Sequence, residues 1–142
     1  MKKNKKLIRE TIEKYDLYQI DETGKTVLHL CAMENYKDLI LHIFESFTDK
    51  AKKGEFINKR DLKGWSAIYY AIEISENGFP DMVDLLLKHG ADPSQADEKG
   101  ITALHLSAYK GQDDNVEILL KYKADPNKKD IIGSKIINQK FF

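Results

Sequence analysis

Apolar residues recur along this chain in clusters with helical spacing. Leu39, Ile40, Ile43, Phe44 and Phe47 fall at i, i+1, i+4, i+5 and i+8, one face of an amphipathic helix. Met82, Val83, Leu85, Leu86 and Leu87 form a second such cluster, and Val116, Ile118, Leu119 and Leu120 a third. Each is preceded by a shorter helical stretch that opens on a turn signal: "DETGKTVLHLCAMEN" from Asp21, "DLKGWSAIYYAIEIS" from Asp61 and "DEKGITALHLSAYKG" from Asp97. A fourth start, "DIIGSKIIN" at Asp130, runs out before completing. The starts lie 40, 36 and 33 residues apart, so a single unit recurs with insertions in its first two copies.

The predicted order within a unit is turn, helix, short link, helix, turn. Residues 21–60, 61–96 and 97–129 form three units, with 130–142 a partial fourth unit or C-terminal cap. Leu7, Ile8, Thr11, Ile12 and Tyr15 repeat the spacing of the first cluster, so residues 1–20 are expected to supply a helix covering the open end. The insertion "TDKAKKGEFINKRD" is expected to be a charged, solvated excursion, and Phe79 in "SENGFPD" to pack locally. Gly24, Gly64, Gly100 and Gly133 stand where a tight turn needs positive φ. Thr26, Ser66 and Thr102 follow as helix caps, and Leu28, Ile68 and Leu104 enter the core.

Composition narrows the function. Acidic and basic residues balance at 23 each, but residues 1–14 and 121–142 each hold six basic groups against two acids, leaving an acidic centre. Only two of the basic residues are arginines, Arg9 and Arg60. A nucleic-acid binder needs a basic face and favours arginine forks, so nucleic acid is disfavoured. Cys31 stands alone, which excludes an internal disulfide framework and fits a reducing compartment. No apolar run approaches membrane-spanning length, and the basic start lacks the apolar stretch of a usual secretory signal.

The turn glycine, the T-x-L-H-x-C/S-A pattern of "TVLHLCA" and "TALHLSA", the closing "LLLKHGADP" and "LLKYKADP", and their in-phase recurrence resemble the ankyrin repeat over roughly residues 21–133. The resemblance implies an all-α solenoid of about three full repeats with projecting turn fingers, no cofactor and no metal. It also implies a non-enzymatic role, in which the concave face and the finger tips hold a protein partner. Adaptor, stoichiometric inhibitor of a kinase, effector delivered to a host cytoplasm, and regulatory fragment of a larger protein are the roles it leaves open; a cytoplasmic monomer is expected. Val27, Ala67 and Ala103 replace the family's helix-opening proline, Tyr69 its histidine in the second unit, and Lys123 its helix-ending glycine in the third; these changes are expected to weaken units locally.

His29 and His105 occupy one repeat position, where the resemblance gives the histidine a structural role tying adjacent turns. Cys31 lies about 200° around the helix from His29, so the two cannot act as nucleophile and base. Residues without a structural duty are those flanking the turn glycine and those ending the first helix. Among them Met33, Leu62, Lys63, Trp65, Ile74, Lys99, Ile101 and Tyr109 are the candidate protein-binding residues, with Trp65 as the anchor.

Overall fold

The computed structural model describes residues 6, 10, 14 and 16–129. Its described helices are α1 (Val27–Met33), α2 (Lys37–Glu45), α3 (Lys50–Ile57), α4 (Ala67–Glu73), α5 (Pro80–Lys88), α6 (Ala103–Tyr109) and α7 (Asp113–Lys121). There is no strand among the described residues; an isolated bridge joins Ala96 to Thr102. The pairs α1/α2, α4/α5 and α6/α7 are the three repeats; first helix packs on first helix throughout (α1 on α4, α4 on α6), and the second helices α5 and α7 pack on each other.

Each unit opens on an aspartate that builds its own turn. Asp61 Oδ1 accepts the backbone N–H of Lys63 at 2.9 Å and of Trp65 at 3.0 Å, while Gly64 N–H returns to the Asp61 carbonyl at 3.0 Å. Asp21 and Asp97 repeat the arrangement. The chain can reverse this tightly because Gly24, Gly64 and Gly100 take φ of 82°, 81° and 76°. At Gly24 a Cβ would also lie 3.0 Å from the Leu62 nitrogen, so the next finger stacks against bare backbone.

The helix starts follow from the next residues. Thr26 accepts from Leu28 N–H at 3.2 Å, and Thr102 accepts from His105 N–H at 3.2 Å. His29 and His105 return the bond, each Nδ1 accepting the N–H of its capping threonine at 3.0 Å. The expected cap at Ser66 is corrected: its hydroxyl makes no capping bond, and Tyr69, in the histidine's place, points forward to the next unit. Between helices the chain turns through Asn35 and Gly111, both left-handed, with Tyr36 N–H returning to the Cys31 carbonyl at 2.9 Å and Gln112 N–H to Ser107 at 2.9 Å.

One continuous core runs through the stack, with Leu28, Ile68 and Leu104 buried as expected and joined by Ile40, Ile43, Ile72, Met82, Leu86 and Leu119. The first insertion corrects the expected solvated excursion. Residues 50–57 are the helix α3, capped by Asp49, which accepts from Ala51 N–H at 2.8 Å. Phe56 and Ile57 are each 1% exposed, and the Phe56 ring meets Phe47 at 5.3 Å. Asn58 then bonds the Gly90 carbonyl at 3.0 Å and Asp92 N–H at 2.8 Å, fastening the insertion to the second repeat. Phe79 is half-buried and packs on the core. The terminal cap expected in residues 1–20 falls mostly outside the described residues; Lys6, Glu10 and Lys14 are helical and exposed. The partial fourth unit, residues 130–142 with Gly133, lies outside them too.

Candidate protein-binding surface

Fingers and first helices together form the surface the sequence singles out. Their spacing is set by bonds that cross from each unit to the next. His29 Nε2 lies 2.9 Å from the Trp65 carbonyl, which can only accept, so this nitrogen carries the ring proton. Burial holds His29 below the usual imidazole range, and the Trp65 carbonyl partly opposes that. The Tyr69 hydroxyl sits 2.6 Å from both the Ile101 and Gln95 carbonyls, sharing one proton between them. Tyr69 therefore makes the same forward tie as His29, while the capping box that a histidine completes at Thr26 and Thr102 is missing at Ser66. Lys123 does carry a local cost, since it holds φ at 67° where glycine would be unstrained.

In the first two units the residue after the turn glycine reaches the aspartate opening the next finger. Lys25 Nζ lies 3.8 Å from Asp61 Oδ2, and the Trp65 indole N–H donates to Asp97 Oδ2 at 3.0 Å. The Tyr70 hydroxyl also donates to Asp61 Oδ2, and burial followed by this carboxylate raises the phenol well above its ordinary value. Trp65 is half-buried: its ring stacks on Tyr69 at 5.4 Å, meets Tyr70 edge-on at 5.3 Å and lies under Lys63 Nζ at 5.2 Å. The expected free anchor is thus a keystone between fingers, with its N–H and one face already engaged.

The remaining candidates divide into two groups. Leu62, Lys63 and Lys99 are exposed at the finger tips beside the half-buried Ile101, with Leu62 73% exposed. Ile74 and Tyr109, 44% and 91% exposed, stand with half-buried Met33 at the other end of the first helices. Each first helix has seven residues, so about 10 Å of helix separates the groups. Two residues escaped the sequence analysis: Leu30 at 45% exposure, between the groups, and Tyr36 at 55%, in the first link. Leu30 follows His29 on the open side of α1, so its place in the repeat was the available signal; Tyr36 sits just past the positions considered.

No group of metal-binding side chains occurs among the described residues. Cys31 is 2% exposed and burial pushes its thiol up to about 12, far from a reactive thiolate.

A family model of ankyrin repeats in three copies matches residues 42–130. The chain belongs to the ankyrin-repeat family. Among curated relatives, human BCL-6 corepressor-like protein 1 is 30% identical over 82 residues, which is 58% of this chain and 4% of that protein. The human palmitoyltransferase ZDHHC13 is 32% identical over 93 residues, 66% of this chain and 14% of the relative. The rat nuclear factor NF-kappa-B p105 subunit is 33% identical over 93 residues, 66% of this chain and 9% of the relative. The ankyrin chain thus spans a small part of the relatives it matches. No described helix is long and apolar enough to cross a membrane.

Proposed function

We propose that this ankyrin-repeat chain is a non-enzymatic protein-binding module, a scaffold or adaptor that holds a protein partner along its first helices and finger tips. One observation carries the proposal: Leu62 on a finger and Leu30, Ile74 and Tyr109 along the first helices project to solvent, while most other apolar side chains of those helices are buried. Exposed apolar side chains set among charges are the composition of an interface rather than of a solvated face. Met33, Lys63, Lys99 and Ile101 complete the contact set, and Trp65 supports it from beneath by holding the second finger against the third. Inhibitor and effector roles would use the same surface.

Capture from the source cell tests this reading. Wild-type protein is compared with a Leu62→Ser/Tyr109→Ser variant whose helical content and unfolding midpoint match wild type. Proteins retained by wild type and lost by the variant support the assigned surface; equal retention of every captured protein would sink it.

A further inference from the structure

The three links between first and second helices lie along one edge of the stack, opposite the fingers. Lys37, opening α2 just after the first link, reaches Asp81 at the start of α5 at 3.3 Å, and Lys110 of the third link reaches the Glu73 carbonyl at 2.9 Å and its carboxylate at 3.5 Å. Gln112 Nε2 donates to the Ile72 and Glu76 carbonyls at 2.9 and 3.0 Å, drawing the third link onto the second. The links are therefore one continuous surface, not three separate loops.

Each link exposes one large apolar side chain: Tyr36 at 55%, Ile74 at 44% and Tyr109 at 91%. Successive packed helices stand about 8–10 Å apart, so the three form a row. None has a folding reason to face water. The surrounding charge is predominantly negative. Segments 33–38, 73–81 and 109–114 hold seven carboxylates against Lys37 and Lys110, and both lysines are already held by acids. Asp38, Asp81, Asp113 and Asp114 stand in the first turns of second helices, where the helix dipole accounts for negative charge. Glu73 is paired with Lys110, whereas Glu34 and Glu76 have no such account. Beside Tyr36 an indentation of about 350 Å³ is bounded by Asn35, Lys37, Asp38 and Leu39. Asn35 Oδ1, screened from solvent, has no hydrogen-bond donor among the described residues.

We infer that this link edge docks a cationic amphipathic segment of a protein partner, with aliphatic or aromatic side chains seated on the Tyr36–Ile74–Tyr109 row and lysine or arginine groups on the carboxylates around it. The inference rests on the protein-binding reading and assigns this edge a partner chemistry distinct from that of the finger tips. An acidic or neutral segment would leave the net negative charge unmatched, and a purely cationic one would leave the apolar row in water.

The test uses fluorescently labelled 15-residue peptides in anisotropy titrations against the full chain: a lysine/leucine amphipathic helix, its glutamate/leucine counterpart, and a lysine/serine peptide of equal charge. The lysine/leucine peptide is expected to bind tightest. Tyr36→Ser/Ile74→Ser/Tyr109→Ser and, separately, Glu34→Lys/Glu76→Lys should each weaken it about tenfold or more, as for truncated interface centres. Leu62→Ser should not weaken it. All altered positions are exposed, and circular dichroism verifies that each variant folds. Equal binding of the lysine/serine peptide, or undiminished binding by the triple variant, would reduce the effect to non-specific charge and overturn the inference. So would tightest binding of the glutamate peptide, or self-association by light scattering that the triple variant abolishes. Loss of cellular partners through Leu62→Ser alone leaves the binding reading standing while this edge's role is decided by the peptides.

Discussion

The indole N–H of Trp65 donates to Asp97 Oδ2 at 3.0 Å, while Asp97 Oδ1 closes its own turn through Lys99 and Ile101 N–H, each at 2.9 Å. One carboxylate thus both builds the third finger and grips the second. Trp65 is the sole tryptophan, so its emission reports this tie directly. Asp97→Ala removes all three acceptor roles and should cost about 2–3 kcal/mol, in line with hydrogen bonds to a charged group at a partly exposed site. The expected signature is a red-shifted emission with faster local anisotropy decay before any global unfolding. Asp97→Asn, which keeps an oxygen for the turn, should retain most stability yet still loosen the indole. Unchanged emission in both variants would show that the carboxylate does not hold Trp65.

Acidification should weaken the fold through His29. Its Nδ1 accepts from Thr26 N–H and its Nε2 faces the Trp65 carbonyl, so both contacts are satisfied only by the neutral ring. Burial lowers its folded pKa below the ordinary imidazole value of 6.5, and His89 is lowered the same way, by burial and then by Lys53 and Lys88. Below 6.5 the unfolded chain therefore binds protons that the native state refuses. Stability is fully present above that pH and falls as pH drops through the folded values. Denaturant unfolding at pH 7.5 and 5.5 measures the loss, and His29→Gln should shrink the difference between the two while lowering stability at both.

Tyr69→Phe isolates the tie that replaces a histidine. The ring stays, but the Ile101 and Gln95 carbonyls lose their 2.6 Å donor. The cost of leaving them short of a partner is about 1–3 kcal/mol. Amide exchange should quicken in the third finger, residues 97–101, more than in the first. A neutral outcome would mean that these carbonyls find water instead.

Phe56→Ala tests whether the insertion helix is part of the core. The side chain is 1% exposed, between Phe47 and Tyr18. Truncation should cost about 3–5 kcal/mol, as for a buried phenylalanine. Lys52→Ala on the exposed side of the same helix should cost almost nothing. Equal, small effects of both would restore the solvated-loop picture of residues 48–61.

The repeat, its period, the turn glycines and the main core positions were legible in the sequence because each is local and occurs three times. A turn that needs positive φ demands glycine at that position, and a buried helical stripe demands apolar residues at its spacing, whatever the rest of the chain does. The helix at residues 50–57 was not legible: its lysines outnumber its two terminal apolar residues, and its reason to be ordered is distant, in Phe47, Tyr18 and Gly90. The division of the candidate surface, by contrast, was legible: Leu62 flanks a turn glycine, while Ile74 and Tyr109 end first helices, and all three are exposed.

Trp65 marks the boundary between the two kinds of information. Its position in the repeat was determined by sequence alone, and so was the all-helical fold around it. Whether its indole faced a partner or the next finger depended on where Asp97 and Tyr69, 32 and 4 residues away, came to rest. Local periodicity specifies which side of a helix is buried; only the packing of one unit on the next decides which exposed groups already have neighbours.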